Sequence, residues 1–175
     1  MANVLIKRRV ATQNVDSLNR TVIATADVEN GNVFELLTRS ETDGEDEVWN
    51  ATAPTTAATA MGLWMAGASE IVITKVGNLE FKGIVEDPRE FVNVKGRVFS
   101  AFKPMPGDII EMTLGAASSG EYLIPQNSNM ALTTSSSDNA TGFSMKKVGT
   151  SVLHIGSGAL SKTPVTTYIY EVVRN

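Results

Sequence analysis

KGRVFSAFKPMPGDIIEMTLG, residues 95–115, sets the character of this chain. Two apolar runs flank a link at 103–108, and in the second run Ile110, Met112 and Leu114 alternate with Ile109, Glu111 and Thr113. A period of two is what a strand needs to turn one face toward a core. Pro104 and Pro106 stiffen the link, so 91–102 and 108–114 read as a proline-linked pair of strands. No residue in the stretch has an obvious chemical task.

The same grammar extends in both directions. Upstream, 21–38 holds two apolar runs around Glu29-Asn30-Gly31-Asn32, and Asn-Gly is the strongest short hairpin signal. Strands are expected at 71–76 and 79–85 on either side of Gly77-Asn78, with Pro88 ending the pairing. Residues 57–65 fit either one short helix within 56–66 or a loop that packs Leu63, Trp64 and Met65 onto the sheet. Downstream, 133–141 is rich in Ser, Thr, Asn and Asp and reads as an exposed loop. The closing strands are 148–155 and 165–173. The last carries apolar bulk on both faces, Val165, Ile169 and Val173 on one and Tyr168, Tyr170 and Val172 on the other, so it belongs in the middle of a sheet or under a partner.

Short strands at close spacing with turn signals predict an all-β fold, an antiparallel β-barrel or sandwich with long loops. The expected organisation is an extended N-terminal arm at 1–15 and a single β domain at 16–175. Residues 4–9, Val4, Leu5, Ile6, Lys7, Arg8 and Arg9, are apolar then basic. Such a segment either waits for a partner to order it or pairs as an edge strand with its own body.

Composition narrows the function. With 42% apolar and 19% charged residues the chain is neither disordered nor membrane-embedded, and a net charge of −4 argues against general nucleic-acid binding. The absence of Cys removes disulfides, thiolate metal sites and cysteine catalysis. In the opening MANVLIKRRVATQN the charges follow the apolar piece, the reverse of a secretion signal, so a soluble protein used where it is made or released by lysis is expected.

Candidate catalytic groups are few. His154 is the single histidine and sits in a predicted strand, where a structural role is the expectation. The GSGAL run at 156–160 lacks the spacing of a phosphate loop. Asp27, Glu29, Asp87 and Glu90 show no spacing that implies paired-carboxylate chemistry, and the acids of 41–47 do not match a calcium loop. Trp49 and Trp64 would fill a core or interface, or form a sugar-stacking platform. The expectation is a protein that is not an enzyme and uses no cofactor or metal.

Several phrases occur together in an order that resembles small structural proteins of tailed bacteriophages infecting Firmicutes, similar to head decoration, or cement, proteins. They are MANVLIKRR, EVWNATAP, FKPMPGDIIEMT, GEYLIPQNSNMALT, TGFSMKKVGT and TYIYEVV, spread over most of the chain. The resemblance implies a virion structural protein on the capsid exterior, made in the host cytoplasm, with the major capsid protein as partner. It also implies a homo-oligomer, with a trimer the expected form, and no nucleic acid or membrane contact. Residues Val4, Leu5, Ile6, Lys7, Arg8 and Arg9 are then the expected capsid-binding element: three apolar side chains for strand addition and three cations for acidic capsid loops. The alternatives are another virion part, such as a tail or baseplate β module, a carbohydrate-binding module using the two tryptophans, or a hydrolase or lyase using His154.

Overall fold

The computed structural model describes residues 2–40, 47–76, 79–84, 87–115, 120–156 and 162–175, with side chains of the 71–84 hairpin outside that description. The acidic run 41–46, the turn Gly77-Asn78 and most of the 156–160 run therefore lie outside the described residues. The strands are β1 (Leu5–Arg9), β2 (Asn19–Ala24), β3 (Val33–Arg39), β4 (Val48–Thr52), β5 (Trp64–Ala66), β6 (Ile71–Val76), β7 (Leu79–Ile84), β8 (Val98–Phe102), β9 (Ile109–Met112), β10 (Tyr122–Gln126), β11 (Asn129–Ser135), β12 (Ser144–Ile155) and β13 (Thr163–Arg174). The fold is all-β, as expected. Its helical content among the described residues is three single 3-10 turns.

Two sheets form the body. One is a closed barrel in the order β2-β4-β3-β5-β8, the other a six-stranded sheet in the order β1-β9-β13-β12-β10-β11, and β6 and β7 make a separate hairpin. All pairings are antiparallel except β2 with β4, which runs parallel from Thr21↔Val48 to Ala24↔Ala51. It is the one parallel pair among the described strands of an otherwise antiparallel fold. It also removes the hairpin expected across 29–32. The turn exists, with Gly31 at φ 86° and Asn32 N–H on the Glu29 carbonyl at 3.2 Å, but β4 lies between β2 and β3. The turn is drawn elsewhere by longer-range bonds: Asn30 exchanges side-chain hydrogen bonds with the Ala68 backbone at 3.0 and 3.1 Å, and Val28 bridges Asn93.

The opening stretch is divided in the same way. β8 closes the barrel against β2 and β5, while β9 joins the other sheet between β1 and β13, so the proline-linked strands do not pair with each other. Asp108 holds the link, accepting from the Met105 N–H and the Ala11 N–H, each at 2.9 Å. The link thus carries the chain from one sheet to the other.

Alternation explains how the sheets stack. Inside the barrel lie Val22, Ala24, Phe34, Ala51, Ala66, Phe99 and Ala101, with Phe34 and Phe99 edge to face at 6.0 Å between centroids. The neighbouring residues Val33, Met65 and Phe102 point out of the barrel instead. They meet Ile110, Met112, Met145, Tyr170 and Val172 of the six-stranded sheet in a second core. β13 is central, as the sequence pattern requires, flanked by β9 and β12.

Residues 56–66 form no helix. Residues 57–59 make a turn, Gly62 takes φ 70°, and Trp64–Ala66 is β5. Distant side chains satisfy this backbone in place of helical bonds: Asn175 bonds both the N–H and C=O of Leu63 at 2.7 and 2.8 Å, and Asn127 accepts from the Ala57 N–H at 2.7 Å.

Candidate functional site

The six N-terminal candidate residues lie on or beside β1, which is laid down on β9 in the register Leu5↔Met112, Ile6↔Glu111 and Lys7↔Ile110. Val4 is buried, donates from its N–H to Thr113 Oγ1 at 2.9 Å and accepts the Thr113 N–H at 3.1 Å. Leu5 packs on the core between the two sheets, and Ile6 is half-buried on the opposite face. Of the two readings of this segment, the chain adopts the edge strand. Before the strand begins, the Ala2 N–H bonds the Arg89 carbonyl at 2.7 Å and the Asn3 N–H bonds Glu29 at 3.1 Å.

The three cations then diverge. Arg8 Nε donates to Glu111 Oε2 at 2.5 Å, and its Nη2 lies 3.4 Å from Ser151 Oγ. Glu111 is buried, and its second oxygen accepts from the Thr167 hydroxyl. Burial alone would raise the Glu111 pKa. Hydrogen bonds from Thr167, Arg8 and Ser151, with the charge of Arg8, outweigh it and hold the carboxyl below its usual range. Lys7 turns to the other face, donates to the Gly67 carbonyl at 3.2 Å and stands 4.5 Å from the Phe102 ring centroid. Burial lowers its pKa. Arg9 is exposed beyond the bulge where the register shifts.

Among the described residues β1 has β9 on one side and no strand on the other. Since the Thr113 N–H meets the Val4 carbonyl, antiparallel alternation turns the backbone groups of Leu5 and Lys7 toward that open side.

Beside β1 lies a groove of about 610 Å³, reached by Lys7 from β1, Arg20 from β2, Arg39 from β3 and Trp49 from β4. Glu47 is the one acid among its described lining residues, and Ser69, Ser100 and Thr21 add hydroxyls. Two of the cations are stacked: the Arg39 guanidinium lies 5.4 Å from the Trp49 ring centroid, and that of Arg20 lies 5.3 Å from Trp64. Arg20 also donates from Nη1 to the Asn19 carbonyl at 2.8 Å. Stacking orders a guanidinium, and its remaining N–H groups can meet a carboxylate or phosphate. Gly67 is required where it is. A Cβ there would stand 2.7 Å from the Phe102 ring and 2.9 Å from Lys7 Cε, too close for the lysine to keep its place.

The remaining candidates stay apart. His154 is exposed on β12, opposite Pro164. Among the described residues no three His, Asp or Glu side chains gather as metal ligands. Trp49 and Trp64 are half-buried against the barrel core, each with an arginine over its ring. A second depression, about 480 Å³, lies between residues 56–58 and Pro125 and Asp138; there Asp138 is tied to the Ser144 hydroxyl at 2.5 Å and to Arg174. Sequence reading missed Arg20, Arg39 and Gly67 as a group with Lys7, because the barrel pairings and the seating of β1 beside the barrel are what bring them together.

Comparison of the chain with protein-family models, curated proteins and solved structures gave no match.

Proposed function

We propose that this protein is a virion structural component, a decoration protein that binds the outer surface of a tailed-phage head and braces contacts between capsomers. Its partner is the major capsid protein, and it acts as a homo-oligomer, a trimer by preference. The observation that carries the reading is the open edge of β1 beside a cationic groove. That edge offers main-chain hydrogen bonds to an extended capsid segment, while Lys7, Arg20 and Arg39 supply the charge. The resemblance over most of the chain supports the same reading.

In this proposal Val4 and Leu5 serve by seating β1 rather than by inserting into the capsid, because both are engaged in the protein's own packing. The contact falls to the outer edge of the strand and to the cations near it. One such edge binds weakly, and several copies on one oligomer convert modest contacts into avidity.

Co-sedimentation of the purified full chain with expanded empty heads of the phage that encodes it tests the proposal. The expected result is saturable binding at many copies per particle, with slower release of scaffold-free heads under heat. Binding of only a few copies at a single vertex would reassign the protein to the tail, and no binding at micromolar concentration would remove the virion reading.

A further inference from the structure

We infer that the groove between β1 and the barrel receives an extended acidic segment of a partner protein, which adds to the open edge of β1 and sets its carboxylates on Lys7, Arg20 and Arg39. The inference deepens the decoration reading and rests on it for the identity of the partner, a surface segment of the capsid protein.

Four observations converge. The chain as a whole is acidic, at −4, yet this groove draws cations from three separate strands. Charges placed only to keep an edge strand from aggregating would sit on that strand. Arg20 and Arg39 instead come from β2 and β3, and both are stacked on tryptophans, which lowers the entropy lost when they grip a ligand. The alternation of β1 presents the Leu5 and Lys7 backbone groups on the unpaired side, so the same ligand finds both hydrogen-bond partners and positive charge. Gly67 keeps the wall low enough for Lys7 to lie along it.

A compact phosphate would use the guanidiniums but leave the strand edge unused, and a nucleic acid would need a longer cationic track. Successive side chains of a strand alternate in direction, so a segment with acids at every second position places them all on one side. That spacing suits a row of cations drawn from neighbouring strands.

The test titrates a ten-residue peptide of alternating Glu and Val, free of aromatic residues, into the full chain, read by tryptophan fluorescence and by calorimetry. Expected are saturable binding that weakens as salt is raised and a loss of roughly tenfold or more in affinity in Arg20→Glu with Arg39→Glu. Circular dichroism checks the fold of that variant, and the milder pair Arg20→Gln with Arg39→Gln should show a smaller loss. The same peptide N-methylated at alternate positions should bind much more weakly. Equal binding of the methylated peptide, unchanged affinity in both variant pairs, or tighter binding of inorganic phosphate or a short oligonucleotide would overturn the inference. Head co-sedimentation with the same variants separates it from the reading it rests on. If charge-reversed protein binds heads like wild type, the groove is wrong and decoration stands. If the peptide binds as expected but heads do not, the groove stands and decoration falls.

Discussion

Glu111 shows how one residue can hold an element in place. Its buried carboxylate joins β1, β12 and β13 through Arg8, Ser151 and Thr167. Glu111→Ala should lower stability by about 1–3 kcal/mol, because buried donors lose their acceptor, as measured by urea unfolding. The folded pKa lies below the ordinary 4.5, so this contribution is fully present above that value and is lost as pH falls through the lower folded value. Wild type should therefore lose stability more steeply below about pH 4.5 than Glu111→Gln, a difference that denaturation at several acidic pH values would resolve. Tyr170 works in the alkaline range. Burial, then the neighbouring Tyr168, pushes its phenol from 10.0 up to about 12, while its O–H donates to the Leu114 carbonyl at 3.2 Å. The unfolded chain loses this proton first, so stability should decline as pH rises from 10 toward 12 and Tyr170→Phe should flatten the decline. Neither role shows in the sequence, where Glu111 is simply the polar member of an alternating run.

At the level of elements, β1 and the β12–β13 ribbon behave in opposite ways. β1 is short, but its seat is long-range, made by β9, Thr113, Glu29 and Arg89. Deleting residues 2–9 should expose the β9 edge and the fully buried Met112, lowering the thermal midpoint and promoting self-association visible by light scattering. The ribbon is the reverse case. β12 and β13 pair from Ser144↔Arg174 to Ile155↔Thr163, yet the β10 side covers β12 only from Met145 to Lys147, and the β9 side covers β13 only from Tyr168 to Val172. Val148 and Val152 are accordingly about half exposed, at 52% and 55%. Amides of 150–154 should exchange with solvent faster than those of 169–172, measured by hydrogen exchange. Strand positions such as these were legible in the sequence because alternation is local. The open side of each strand was not, since it depends on which neighbour stops short.

For the molecule as a whole, the decisive surface is the one where barrel and sheet meet. Phe102, fully buried, leaves the barrel wall to pack in the core that also holds Ile110, Met112 and Tyr170. Phe102→Ala should cost about 3–5 kcal/mol. Because one core serves both sheets, unfolding followed by tryptophan fluorescence, which reports the barrel, and by far-ultraviolet circular dichroism, which reports all strands, should give coincident transitions. Separate transitions would show that the two sheets are independent units.

The sequence by itself determined that the chain is built of strands, where most of them lie, and that the last is central, because period, β-branching and turn residues act over a few positions. Tertiary structure alone decided the partners: the parallel entry of β4 between β2 and β3, the parting of β8 from β9 across the proline link, and the seating of β1. It also decided the groove, whose cations at 7, 20 and 39 share no local pattern. Backbone hydrogen bonding differs little in strength from one strand pair to another, so the choice among pairs falls to the burial of apolar faces contributed by the whole chain.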